Sequence, residues 1–484
     1  MPDPVDFWSA SQLLQAYRTR TLSPVESARA TLARIEALNP ALNAFCRVDA
    51  DGALEAAQAS EARWARGEPR GLLDGVPVSI KDVLLTRGMP TLHGSRTVSP
   101  DQAWADDAPA VARLREHGAV ILGKTTTPEL GHKFVTDSPL TGITRNPWNL
   151  ERSPGGSSGG AAAAVVAGLG PLAVGTDGGG SIRIPATWSG IVGHKPTRGR
   201  VPVWPPSRWG ALSHVGPLAR SVEDAALLLT VLAGGDRRDA AALAPDGQDY
   251  RIGLEGGVAG LRVAYSPDLG LAEVEPEIAA AVEAAARALE RLGARVKAIP
   301  PPGIEAIVPA HRTCYMAIFA QFLEGLAPVQ HDLLDPYLRA GAEAGRKITA
   351  AAYHAALMTR EAIASRMEAL FEDHDLLVLP GFHVPPPPVP GLPDGLRGKA
   401  PALTCWANHT GQPVASVPCG LTRDGLPIGI QIAGPRFADA RVLRAARAYE
   451  AARGPFPHPP LAISLGIGPP GSDHTSPIKQ EERA

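Results

Sequence analysis

Cysteine is scarce in this chain of 484 residues: Cys46, Cys314, Cys405 and Cys419 stand far apart and form no CxxC pair. That excludes a disulfide framework or a zinc ribbon and suits a reducing compartment. Long apolar runs are also missing. The most apolar stretch, 160–174, is built of Ala and Gly, a composition for close packing in a soluble core and not for lipid. Asp3 and Asp6 stand where a signal peptide would carry basic residues, so a cytoplasmic protein is expected. Neither sign of charge dominates: 47 basic and 49 acidic residues leave a net charge of -2, which gives no footprint for nucleic acid or a membrane surface. The 13 histidines show no HExxH or paired-ligand spacing, so no metal site is expected. His93, His117 and His132 are read as surface or structural residues.

What the chain does have is 44% hydrophobic and 20% charged residues, the balance of a globular protein. A helix is expected from Pro24 to about Leu38, with Ser23 as cap, Glu26 completing a capping box and Asn39-Pro40 as its end. A second, Ala-rich helix covers 52–66, so the N-terminal segment 7–66 is read as helical. Residues 76–81 alternate as a strand, with Ser79 and Lys81 on the face opposite Val76, Val78 and Ile80. Further helices are expected at 108–117 (Asp107 as cap), 222–233 (Ser221 as cap), 276–292 and from Asp439, as cap, to about Arg453. Strands are expected at 119–122, 376–380, 414–421 and 428–433, the last two joined by a turn at Asp424-Gly425. This irregular alternation suits an α/β fold, a large mixed sheet between helical layers, as one domain over 1–464. The four prolines from Pro385 to Pro388 mark a semi-rigid crossing over 383–399, and 465–484 is expected to be a disordered tail.

The most informative segment is Ser153–Pro185, SPGGSSGGAAAAVVAGLGPLAVGTDGGGSIRIP. Two glycine-flanked serine clusters are separated by segments of buried helix and strand type, which argues against a flexible linker. A serine beside a row of unobstructed N–H groups is what acyl transfer requires: the hydroxyl attacks a carbonyl carbon and the donors hold the oxyanion. Two competing motifs fail on context. Gly118–Thr125 matches the Walker A expression, but its variable residues are Ala-Val-Ile-Leu, a buried strand where a phosphate loop is required. Gly155-Gly156-Ser157-Ser158-Gly159 matches the GxSxG elbow of α/β-hydrolase esterases, yet a polar, proline-ended loop precedes it where a strand is needed. That alternative predicts acylation of Ser157.

The segment resembles the amidase signature family of Ser–Ser–Lys hydrolases. Gly75–Asp82 is similar to the family's lysine motif, and the blocks Asn146–Asn149, Thr410–Pro418 and Gly425–Gln431 are similar to further family blocks, so the likeness runs from about residue 20 to 460. Gly178 stands where the family more often has threonine or a branched residue, and Trp188 where a smaller aromatic is common. The resemblance implies an amidase that cleaves a small-molecule amide to an acid and ammonia or an amine, without a cofactor. It implies Ser181 as nucleophile, Ser157 on a cis peptide as proton shuttle, Lys81 as base and Ser158 as its support. The backbone N–H groups of Gly178, Gly179, Gly180 and Ser181 would then form the oxyanion hole. Asp177 and Arg183 are read as braces of the glycine loop. A homodimer is left open. The family also contains the glutamine-hydrolysing subunit of a tRNA-dependent amidotransferase, which is the alternative. Thr127–Lys133 is more similar to stand-alone amidases. A non-enzymatic binding role ranks last. Trp188, Tyr315, Met316, Phe319 and Trp406 suit an apolar pocket or a core equally well.

Overall fold

Val78 and Ile80 alternate with Ser79 and Lys81, and the whole segment is buried. Burial on both faces is the mark of an interior strand with a layer on each side. In the computed structural model, which describes residues 5–391, 396 and 401–461, that segment sits inside a large mixed sheet. The strands are β1 (Phe45–Val48), β2 (Pro77–Lys81), β3 (Val120–Thr125), the two-residue pair β4 (Asp137–Ser138) and β5 (Gly142–Ile143), β6 (Leu172–Asp177), β7 (Val192–Lys195), β8 (His214–Ala219), β9 (Arg262–Tyr265), β10 (Arg295–Ala298), β11 (Leu376–Pro380), β12 (Val414–Leu421) and β13 (Pro427–Ala433). Among the described residues, eleven of them form one sheet in the order β1-β3-β2-β6-β8-β7-β12-β13-β11-β9-β10. β3, β2 and β6 run parallel, and β6, β8, β7, β12, β13 and β11 follow in antiparallel succession.

Helices cover both faces. On one, Val78, Ile80 and Val174 pack with Leu228, Val282, Leu289 and Leu443 from the helices Val222–Leu232, Pro276–Arg291 and Asp439–Arg453. On the other, Ala161, Ala162 and Val165 of the helix Gly159–Val166 lie against Ala173, Ile182 and Ala186. Its small residues let that helix approach the sheet closely. A Cβ on Gly160 would stand 2.5 Å from the Ala44 carbonyl oxygen and 2.3 Å from Thr126 Oγ1.

Several elements differ from expectation. The helix that begins with Ser23 and its capping box continues to Leu42, with Pro40 inside it. Pro40 sits in the last turn, so the one intrahelical hydrogen bond that its missing N–H forfeits is among the last of the helix. The exit is fixed by Asn39, whose Oδ1 accepts from Ala44 and Phe45 N–H. The N-terminal segment is also not wholly helical, because β1 joins the sheet edge beside β3. Neither aspartate caps its helix. Asp107 accepts the Arg87 N–H at 2.7 Å and pairs with Arg115; Asp439 is already helical and accepts from Thr197 N–H and hydroxyl. Ser221 does cap, accepting from Asp224 N–H. The 465–484 tail and the residues 392–395 and 397–400 of the proline-rich crossing lie outside the described residues. No described helix is long and apolar enough to cross a membrane.

Gly160→Ala tests the close approach of helix to sheet. Replacing glycine in a helix gains roughly 0.5–1 kcal/mol, but overpacking against backbone costs about 1–3 kcal/mol. A lower Tm is expected, read by thermal unfolding.

Candidate functional site

Register brings the first residues together. Ile80 of β2 pairs with Val174 of β6, so the carboxyl ends of these parallel strands place Lys81 beside Thr176. Sites on α/β sheets form at such strand ends. Lys81 is fully buried. Its Nζ lies 2.6 Å from Ser157 Oγ, 2.9 Å from Ser158 Oγ and 2.9 Å from Thr176 Oγ1. Burial pushes its pKa down to about 7, against the opposing pull of Asp177. A neutral amine has two N–H donors and one lone pair. Ser158 gives its own proton to the Thr176 carbonyl at 3.1 Å, so its oxygen accepts from Lys81. In the neutral form, with Thr176 Oγ1 taking the second N–H, the lone pair would face the Ser157 hydroxyl.

Ser157 follows a cis Gly156–Ser157 peptide. No strand leads into it, so the elbow context is missing. Gly156 lies against the Phe134–Val135 backbone, where a Cβ would stand 2.8 Å from either carbonyl carbon. The two serine clusters touch directly: Ser158 N–H donates to the Ser181 carbonyl at 3.1 Å. Ser181 is 9% exposed and lies, with Gly179, on the wall of a cavity of about 560 Å³, a volume suited to a small-molecule ligand. Ile184, Phe134, Val308, Tyr315 and Met316 make much of that wall apolar. Of the five ambiguous residues, only Tyr315 and Met316 reach it. Trp188 and Trp406 are fully buried in core clusters and Phe319 packs behind Tyr315. Gly178 has a local counterpart: a Cβ there would stand 3.0 Å from Tyr315 Oη.

The loop between β6 and the helix Arg183–Ser189 is locked from within. Asp177 accepts from Gly180 N–H at 2.7 Å, Ile182 N–H at 3.1 Å, Arg183 Nε and Nη2 at 3.0 Å each, and Asn408 Nδ2 at 2.8 Å. Burial alone would raise the pKa of this carboxyl; the Arg183 charge and the hydrogen bonds from Arg183 and Asn408 outweigh it and hold it well below the usual carboxylate range. Arg183 also donates to the Thr404 carbonyl, Gln431 Oε1 and Asn408 Oδ1. Thr404 Oγ1 in turn donates to the Gly179 carbonyl. One expected donor is therefore taken: the Gly180 N–H is held by Asp177, which leaves Gly178, Gly179 and Ser181 of the four.

Thr176, Thr404 and Asn408 were not singled out in the sequence, and Gln431 only as the end of a family-like block; Thr404, Asn408 and Gln431 arrive from more than two hundred residues away. Of the histidines read as surface or structural, His132 is buried: its Nδ1–H donates to the Glu129 carbonyl, and the residue lines the cavity beside Lys133. Lys124 of the Walker-like segment is buried inside β3, where Nζ donates to the Leu84 carbonyl and Thr91 Oγ1 at 2.7 Å each, so no phosphate loop exists there. Among the described residues no cluster of metal-ligating side chains occurs.

A buried lysine in contact with a serine, beside a glycine-rich loop at the strand ends of a mixed sheet, is an arrangement that suits a hydrolase of the amide-cleaving class. The chain belongs to the Amidase family, which it matches over residues 26–443. It is 37% identical to an acylamidase of Rhodococcus erythropolis, over 92% of this chain and 95% of the relative. It is likewise 37% identical to a glutamyl-tRNA(Gln) amidotransferase subunit of Pseudomonas putida (strain GB-1), over 92% of this chain and 97% of the relative. The crystal structure of a bacterial aryl acylamidase of the amidase signature family superposes with a TM-score of 0.87, at 34% identity, over 93% of this chain and 97% of that one.

Asp177→Asn tests the lock. Removing one partner of a buried ion pair costs about 3–5 kcal/mol, so the variant is expected to melt well below the wild type.

Proposed function

We propose that this protein is a stand-alone amidase that hydrolyses a carboxylic acid amide through an acyl-enzyme on Ser181. The observation that carries the reading is the neutral-type amine of Lys81 held 2.6 Å from Ser157 Oγ, beneath a cavity whose wall includes Ser181. Ser181 Oγ attacks the amide carbon and gives its proton to Ser157, whose own proton passes to Lys81. The Gly178, Gly179 and Ser181 amides receive the developing oxyanion. The proton returns through Ser157 to the nitrogen as the C–N bond breaks, ammonia or an amine leaves, and water attacks the acyl ester by the same route. Asp177 and Arg183 keep the glycine loop in place without touching substrate. No cofactor is required by this chemistry.

The substrate is a small-molecule amide with an apolar acyl or amine part, which the Ile184, Val308, Tyr315 and Met316 walls favour. A second reading, the glutamine-hydrolysing component of a tRNA-dependent amidotransferase in the cytoplasm, is favoured by the identity with the Pseudomonas putida relative. It requires partner proteins and a small polar substrate. Release of ammonia from glutamine that depends on added partner proteins would select it.

A fluorophosphonate serine probe followed by peptide mass spectrometry is expected to place the adduct on Ser181. The adduct should disappear in Ser181→Ala and form slowly in Ser157→Ala and Lys81→Ala. An adduct on Ser157 would overturn the assignment. The pH dependence has a defined sign: Lys81 acts neutral, so kcat/KM should fall as pH drops below about 7 and Lys81 takes up a proton.

A further inference from the structure

Two histidines from different helices meet beside the glycine loop. His311 lies on the helix Ile307–Glu324 and His409 in the last turn of the helix Ala402–Thr410. His311 Nδ1 and His409 Nε2 are 3.0 Å apart, so one proton lies between them. Which ring carries it follows from the other end of the pair. His409 Nδ1 is buried with no partner. A buried N–H without an acceptor is rarer and costlier than a buried lone pair without a donor. His409 therefore leaves Nδ1 bare, holds its proton on Nε2 and donates to His311 Nδ1.

Burial keeps both rings neutral, holding His409 well below the usual histidine range and His311 at about 3. A neutral imidazole that accepts at Nδ1 carries its proton on Nε2. That nitrogen of His311 makes no hydrogen bond of its own within the described residues, and the ring lines the cavity. It lies directly against the glycine loop, because a Cβ on Gly179 would stand 2.9 Å from its Cε1 and 3.2 Å from its Nε2. Tyr315 packs on the ring at 4.1 Å between centroids, and the bond to His409 resists rotation. The result is a fixed, uncharged N–H donor at the cavity wall beside Gly179.

We propose that His311 contacts substrate directly, donating from Nε2 to the carbonyl oxygen of the amide and to the oxyanion that replaces it. It supplies the donor that Gly180 cannot, since Asp177 holds the Gly180 N–H. His409 is a positioning residue that acts only by fixing the tautomer. The proposal rests on Ser181 being the nucleophile.

The test uses the fluorophosphonate probe, whose P=O oxygen takes the place of the carbonyl oxygen, and compares second-order labelling rates of Ser181. His311→Phe keeps a ring and loses the donor; labelling is expected to slow on the order of 10²-fold, the usual loss for one oxyanion donor. His311→Gln restores an N–H and should recover most of that loss. Wild-type rates in His311→Phe, or glutamine no better than phenylalanine, would overturn the proposal. A readout independent of any variant's folding is the long-range 1H–15N spectrum of histidine-labelled wild type. The neutral Nε2–H form is expected for His311; an Nδ1–H form or an imidazolium overturns it. Failure of the underlying reading is distinguishable, because the adduct would then lie on a residue other than Ser181.

Discussion

An ammonium group taken wholly out of water is among the costliest things a protein can bury, and the organisation of this site follows from how that cost is met at Lys81. No carboxylate is brought into contact with it. Three hydroxyls surround it instead, and they satisfy an amine as well as they would an ammonium. The cost is met by a pKa lowered to about 7, so that the proton is easily given up. β2 and β6 must run parallel and in register for this, and the helix Gly159–Val166 must press close enough for Ser157 and Ser158 to reach over the strand ends.

Two other lysines show that burial alone does not make such a site. Lys124 is as buried as Lys81, but Asp82 lies 3.5 Å away and a carbonyl and a threonine absorb its donors. Lys195 is pushed down to about 7 by burial and then by the Arg183 charge, yet its Nζ donates to the neighbouring Pro196 carbonyl. Only Lys81 meets a serine whose cluster is bonded to a second serine on a cavity wall. A lowered pKa marks all three; geometry separates them.

How much of this could be read from the residues depends on distance along the chain. The Ser153–Pro185 segment and the strand at 77–81 carry their own signals, because glycine density and period-two alternation are local. Serine caps at Ser23 and Ser221 were legible for the same reason. Asp107 and Asp439 misled, since a carboxylate can be drawn off by stronger remote donors such as Arg115 and the Thr197 pair. Pro40 misled because the helix runs only two residues beyond it, so the proline falls in the final turn and not past the end. The Asn408, Gln431 and Thr404 contacts had no local sign at all. Polar residues on a buried helix and strand announce nothing until the fold brings Arg183 to them.

The helix Ala402–Thr410 sends Thr404 to the Gly179 carbonyl, Asn408 to Asp177 and His409 to His311. During synthesis, a chain extended through Arg183 already holds Lys81, Ser157 and Ser181. The glycine loop still lacks every one of those supports, and Arg183 would be a charge without its full set of acceptors. The ribosome must add more than two hundred further residues before they arrive. A partly made chain therefore lacks the braces of its glycine loop, and the assembled site is a late event in the birth of the molecule.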